Sequence, residues 1–182
     1  GEVIRQFFKN YQWETSDVTL KLGKPEETVF HQATREHGWK ITLAETGHDS
    51  LTAERIKRVR TYLGDDKTFL ITYGDGVANI DINAGINQHH ESGKLLTVTS
   101  VHPPGRFGNI ELDGPHSVAS FDEKPQTEGG WINGGFHVAS AEIFNFLDGY
   151  GNVMLESDPI RDLAKSGRLG AFPHNGFWHP MD

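Results

Sequence analysis

Leu70-Ile71-Thr72-Tyr73-Gly74-Asp75-Gly76 is an apolar run that halts at one carboxylate set between two glycines. In open α/β sheets, ligands bind just beyond the carboxyl ends of strands. A single Asp flanked by residues without side chains leaves room for a divalent cation and a phosphate against the backbone. The same Tyr73-Gly74-Asp75-Gly76 has the composition of a glycine turn closing a hairpin, and on its own it fits both. A second isolated carboxylate ends the chain in Phe177-Trp178-His179-Pro180-Met181-Asp182. Two such groups, distant in sequence, would meet across one magnesium ion.

Working outward, residues 68–73 read as a buried strand. Residues 51–63 before it read as a helix, with Ile56, Val59 and Leu63 on the core side and Arg55, Lys57, Arg58 and Arg60 largely outside. Asp81 is an N-cap for a helix running to about Ser92. Strands are expected over 95–101, 109–112, 118–122, 132–138 and 168–173. Helices are expected over 141–147, behind a Ser140 cap, and over 159–165, ending at Ser166-Gly167. Nearer the start, 1–12 is an amphipathic helix, and 18–22 and 39–45 alternate like strands. This alternation favours a largely parallel α/β sheet. No repeat or linker divides the chain, so 1–182 reads as a single domain.

Composition narrows the class. The hydrophobic fraction of 36% omits 21 glycines, and with them the apolar share reaches the globular norm. A net charge of -8, from 17 basic and 25 acidic residues, argues against a nucleic-acid polymer as partner. A single nucleotide needs only a few local cations. The lack of cysteine rules out disulfide scaffolds and cysteine-based zinc sites or nucleophiles. No apolar run approaches the roughly 18 residues of a membrane span, and a soluble cytoplasmic protein is the expectation. The chain opens at Gly1 without a methionine, which reads as a cut.

Further segments carry chemistry. Glu123-Lys124-Pro125 sets a carboxylate beside an ammonium, the pair a sugar phosphate needs for its hydroxyls and its phosphate; charged residues before a proline are also ordinary at loop entrances. Trp131-Ile132-Asn133-Gly134-Gly135-Phe136 offers amide donor and acceptor groups where backbone can approach a ligand, or an Asn-Gly hairpin turn. Gly108, after Pro103-Pro104-Gly105-Arg106-Phe107, is a further point of close approach. Among ten histidines, His89-His90 and His174 with His179 lack carboxylates at ligand spacing. No G-x-S-x-G nucleophile elbow occurs.

Together these segments resemble the sugar-nucleotide pyrophosphorylases. The resemblance is carried by Thr46-Gly47 with Ser50, Thr52 and Arg55-Ile56-Lys57-Arg58, by Thr72 to Val77, by Pro103 to Gly108, by Glu123-Lys124-Pro125, by Gly129 to Phe136, and by Gly176-Phe177-Trp178 through Met181-Asp182. Their order and spacing match over nearly the whole chain. Pro-Pro-Gly-Arg-Phe-Gly and Gly-Phe-Trp point to the branch that uses CTP. The resemblance implies a Rossmann-like mixed, mostly parallel sheet flanked by helices, and transfer of a cytidylyl group from CTP to glucose 1-phosphate with release of pyrophosphate. It implies that Asp75 and Asp182 hold Mg2+, with Lys124 also catalytic. Gly108, Glu123, Lys124, Asn133 and Gly134 would hold the sugar phosphate. Ser50, Thr52, Arg55 and Gly74 would contact the nucleotide. It also implies a homo-oligomer serving bacterial surface-polysaccharide (O-antigen) synthesis.

Two departures matter. The family's opening G-G-x-G-T-R loop, its following Lys-Pro and its first strand are absent, so the 182 residues are expected to be incomplete at both ends, nearly inactive alone and poorly stable. Ala53-Glu54 stands where close relatives usually carry Gly-Gly, which alters nucleotide contacts or is a harmless helix start. Three rivals share parts of the pattern: a UTP- or dTTP-dependent pyrophosphorylase, a nucleotide-sugar glycosyltransferase, and a non-catalytic sugar-nucleotide-binding subunit. The second usually carries Asp-x-Asp, and here Val77 holds the second acidic position.

Overall fold

The computed structural model describes residues 1–31, 36, 38–103, 109–112, 117–122 and 130–181. It divides into two compact units, 1–45 and 46–182. In the first, the amphipathic segment forms two helices, α1 (Glu2–Lys9) and α2 (Tyr11–Thr15), separated at Asn10. Phe7, Phe8 and Tyr11 gather their rings within 5.3–6.1 Å of one another. Two short strands, β1 (Val18–Thr19) and β2 (Val29–Phe30), pair antiparallel. Residues 39–45 form no ladder, contrary to the alternating pattern. Alternation says which side chains share a face and cannot supply the partner strand that a ladder requires.

The second unit carries the core. Helix α3 (Thr52–Val59) continues into a 3-10 turn at Arg60–Tyr62. Strand β3 (Thr68–Thr72) and the short β4 (Gly76–Ala78) follow, then α4 (Ile82–Ser92). Asp81 caps α4 as its sequence predicts, accepting from the Ala84 amide at 2.9 Å, and Gly93 ends it at φ 61°. Strands β5 (Leu96–Val101), β6 (Asn109–Leu112), β7 (Val118–Asp122) and β8 (Ile132–Ser140) come next. Helices α5 (Ile143–Leu147) and α6 (Asp158–Lys165) lead to β9 (Leu169–His174) and β10 (Trp178–Pro180).

The main sheet has the order β3-β8-β5-β9. β8 is antiparallel to both β3 and β5, while β5 and β9 are parallel. Three strands therefore run one way and only β8 opposes them; the sheet is mixed, as expected, but inserting β8 between β3 and β5 makes two of its three pairings antiparallel instead of mostly parallel. On one face Leu96 and Ala139 meet Ala53, Ile56, Ile143, Phe144, Leu147, Leu155 and Leu163 from α3, α5, α6 and the loop between the last two. The other face carries α4. There Gly85 sits against the Phe172 ring, and His89 lies within hydrogen-bond distance of Thr97 Oγ1 (2.8 Å) and Ser140 Oγ (2.9 Å).

Two local expectations change. β3 is the edge strand of this sheet, not a buried one, and Leu70 is 50% exposed. Ser140 does not cap α5. It is the last residue of β8, and its hydroxyl is engaged by His89 and by the Lys94 carbonyl. Among the described residues, no helix is long and apolar enough to cross a membrane.

Candidate active site

The Asp75 segment is fixed from both sides by backbone. Beyond β3, the Tyr73 amide donates to the Gly135 carbonyl at 3.0 Å. Beyond Gly74, β4 pairs antiparallel with β10, in a register that sets Pro180 opposite Gly76. The next rung brings Met181 to Asp75, whose carbonyl accepts the Met181 amide at 2.6 Å. β3 and β4 pair with different strands, so Tyr73-Gly74-Asp75-Gly76 closes no hairpin. Asp75 is exposed, and among the described residues nothing lies within 4 Å of the space a Gly74 side chain would take. Asp182 lies outside the described residues, one residue beyond Met181.

Asn133 and Gly134 lie within β8, so the Asn-Gly pair is no hairpin turn either. The β5–β8 register shifts between Val98 and Ser100, opposite this glycine-rich stretch. Gly135 adopts φ 78°, and its amide donates to Asn133 Oδ1 at 2.9 Å. A Cβ at Gly134 would stand 2.8 Å from Val101 Cγ1 and 3.1 Å from the Thr99 carbonyl. Strand packing alone therefore demands this glycine. Its carbonyl accepts the Trp178 indole N–H at 2.8 Å, which ties the β4–β10 ribbon to the main sheet. Beside it, Asn133, Trp131, Ser100, Val98 and Glu156 border a cavity of about 320 Å³. Glu156 accepts the Thr52 hydroxyl at 2.9 Å through Oε2, while its buried Oε1 has no hydrogen-bond partner among the described residues.

The nucleotide-side candidates form a second cluster. Gly47, at φ 88°, bends the loop 46–50 before α3. Arg55 donates through Nε to the Ser50 carbonyl (2.6 Å), through Nη1 to Thr46 Oγ1 (3.1 Å) and through Nη2 to the His48 carbonyl (3.2 Å). Arg58 adds a bond to the Thr46 carbonyl at 2.8 Å. Gly47, His48, Ser50, Glu54, Arg58 and Asn152 line a polar cavity of about 410 Å³. Thr52 faces the 152–156 segment, donating to Glu156 and accepting from the Leu155 amide at 2.7 Å.

The Ala53-Glu54 departure has a structural answer. Ala53 is fully buried in the core. Glu54 pairs with Lys57 (2.8 Å) and Arg58 (2.9 Å), and these cations hold its carboxyl below the usual range. Its charge is thus neutralised within the helix.

The structure joins Asp75 to residue 181, Gly134 to Trp178, and Ser50 to Arg55. Gly108, Glu123 and Lys124, like Asp182, fall outside the described residues. Sequence reasoning passed over Glu156 and Trp178 as individual residues. Trp178 had a signal, an indole donor inside an already quoted motif; Glu156 had none. The paired histidines serve local bonds: His90 Nε2 lies 2.9 Å from Thr68 Oγ1, and His174 Nε2 lies 3.1 Å from the Phe177 carbonyl. Among the described residues, no three His, Asp or Glu side chains converge as metal ligands.

Comparison with known proteins agrees with this architecture. Glucose-1-phosphate cytidylyltransferases of Salmonella typhi and Salmonella typhimurium (strain LT2) are each 44% identical to this chain, over all of it and 69% of their own length. A Bacillus anthracis structure assigned as a glucose-1-phosphate thymidylyltransferase, solved with sucrose, superposes with a TM-score of 0.54 at 15% identity. That match covers 74% of this chain and 57% of the other, and it bears on the fold alone. The nucleotidyl transferase family matches residues 11–179, and the chain belongs to that family.

Proposed function

We propose that this chain is the nucleotidyl-transfer domain of a glucose-1-phosphate cytidylyltransferase, making CDP-glucose and pyrophosphate from CTP and glucose 1-phosphate. The carrying observation is the 2.6 Å bond between the Met181 amide and the Asp75 carbonyl, which brings the residue before Asp182 beside Asp75 and supports the expected carboxylate pair. The 44% identity to the Salmonella cytidylyltransferases, over all of this chain and 69% of theirs, supports the choice of substrates.

Asp75 and Asp182 would hold Mg2+. The donor chemistry fits: magnesium takes oxygen ligands and is usually held by one or two carboxylates plus substrate phosphates, without an all-protein cage. Asp75 offers an exposed carboxylate beside open space at Gly74. When bound, the ion neutralises charge that develops on the reacting phosphates. The protein's own part is positioning. Asn133 and Gly134, with Gly108, Glu123 and Lys124, orient the sugar phosphate so that its oxygen attacks the α-phosphorus in line as pyrophosphate leaves. Ser50 and Gly74 face the nucleotide, while Thr52 and Arg55 act through the segments they brace. No covalent intermediate is needed, because positioning and charge stabilisation account for such transfers. The setting would be the cytoplasm, in a homo-oligomer feeding surface-polysaccharide synthesis.

The test is direct. The longest natural chain containing these 182 residues is incubated with glucose 1-phosphate, Mg2+ and CTP, UTP or dTTP, and pyrophosphate is measured. CTP should be the preferred substrate by at least tenfold, and omitting Mg2+ should stop the reaction. Preference for UTP or dTTP would replace the base assignment. Hydrolysis of a supplied nucleotide-sugar without pyrophosphate chemistry would replace the reaction class.

A further inference from the structure

We propose that Trp178 is a positioning residue that sets the spacing between the carboxylate half of the site and the sugar-phosphate half. The inference rests on the cytidylyltransferase reading only for what each half binds.

The geometry is a closed ring of backbone and one side chain. Asp75 sits between two anchored points. Tyr73 donates to the Gly135 carbonyl at 3.0 Å on one side, and on the other the β4–β10 ladder ends in the bond from Met181 to Asp75. Residues 178–181 therefore carry the strand that flanks Asp75. Within the described residues, the side-chain bond from that strand to β8 is the indole N–H of Trp178 on the Gly134 carbonyl at 2.8 Å. Gly134 lies between Asn133 and Gly135, which the Asn133 side chain itself braces. The contact is packed as well as bonded. A Cβ on Gly76 would lie 3.6 Å from the Gly134 carbonyl, 3.6 Å from the Phe136 ring and 3.7 Å from Trp178 Nε1. A ribbon of three residue pairs is too short to hold its own angle on a sheet. The indole bond fixes that angle, and with it the separation of Asp75 from Asn133.

Trp178→Phe keeps an aromatic ring and removes the donor. If Trp178 spaces the two halves, the Mg2+ activation constant and the KM for glucose 1-phosphate rise together in the longest natural chain, each about five- to tenfold. Asn133→Ala, by comparison, raises the sugar-phosphate KM and leaves the Mg2+ constant in place. A merely structural loss lowers the amount of active protein, hence kcat, and moves neither constant. Amide hydrogen exchange reads the ring without turnover: in Trp178→Phe the Met181 amide should exchange faster, while core amides such as Leu96 keep their rates. A variant in which neither constant moves, or only one does, overturns the proposal, as does unchanged exchange at Met181. If the unmodified protein makes no CDP-glucose, the functional reading falls and the exchange measurement still decides the role of Trp178.

Discussion

Asp75 combines an exposed carboxylate with a backbone held on both sides, so its side chain works from a fixed base. That combination separates its chemistry from its structural role. Asp75→Asn keeps the shape and the carbonyl that Met181 uses, and removes one negative charge. Turnover with Mg2+ should fall on the order of a hundredfold or more, while stability shifts by less than about 0.5 kcal/mol, as for most exposed positions. Steady-state kinetics beside a urea melt checks both; near-normal turnover would remove Asp75 from the site. Arg55 illustrates the opposite case. The resemblance implied a contact with the nucleotide, and the structure shows its three guanidinium nitrogens bonded to the loop 46–50. A guanidinium fork that organises backbone in this way shapes the loop it braces.

Among the elements, β8 matters most, because it bridges β3 and β5 and bends at its glycines where the site begins. Gly134→Ala would push a methyl against Val101 and the Thr99 carbonyl, both across the strand boundary and neither free to retreat. The expected cost is about 1–3 kcal/mol of overpacking, read as a lower urea midpoint; an unchanged midpoint would show that the bulge yields. Such elements were largely legible beforehand. Asp81 announces one helix running to about Ser92, and the stretches at 95–101 and 132–138 announce two strands, since these signals are local. Ser140 misled because a serine before an apolar run has the same local signature whether it caps a helix or closes a strand. Residues 39–45 misled because pairing is not local. The same limit hid the register by which the two carboxylate-bearing segments approach. Nothing within five residues of Asp75 says that Met181 lies beside it, for that follows from the β4–β10 register, and the indole bond follows from the register in turn.

For the whole molecule, stability against acid is set by opposing effects. Lowering the pH from 7 to 5 begins to neutralise the net charge of -8, and the easing of self-repulsion favours the folded state. His137 acts the other way. It lies mid-sheet between Ile71 and Val98, is 2% exposed, and among the described residues neither ring nitrogen has a side-chain or backbone partner within hydrogen-bond geometry. Burial lowers its pKa from 6.5 to about 4, against a smaller raising effect of the Ile71 backbone. His89 is lowered too, by burial and by the neighbouring His90. A depressed histidine means that the unfolded chain binds more protons than the folded one between about pH 6.5 and 4. The stability from neutral His137 is therefore complete above pH 6.5 and drains away as the pH falls through that window. Between pH 7 and 5 the loss should be roughly 2 kcal/mol. His137→Phe cannot titrate, so its unfolding free energy from urea melts should fall less over the same range, by about that amount, whatever packing change it brings at pH 7. The difference between the two proteins cancels the carboxylates and His89, which both retain. Parallel pH profiles for the two would mean that His137 is protonated in the fold at no cost, and that the sheet opens enough around it to admit water.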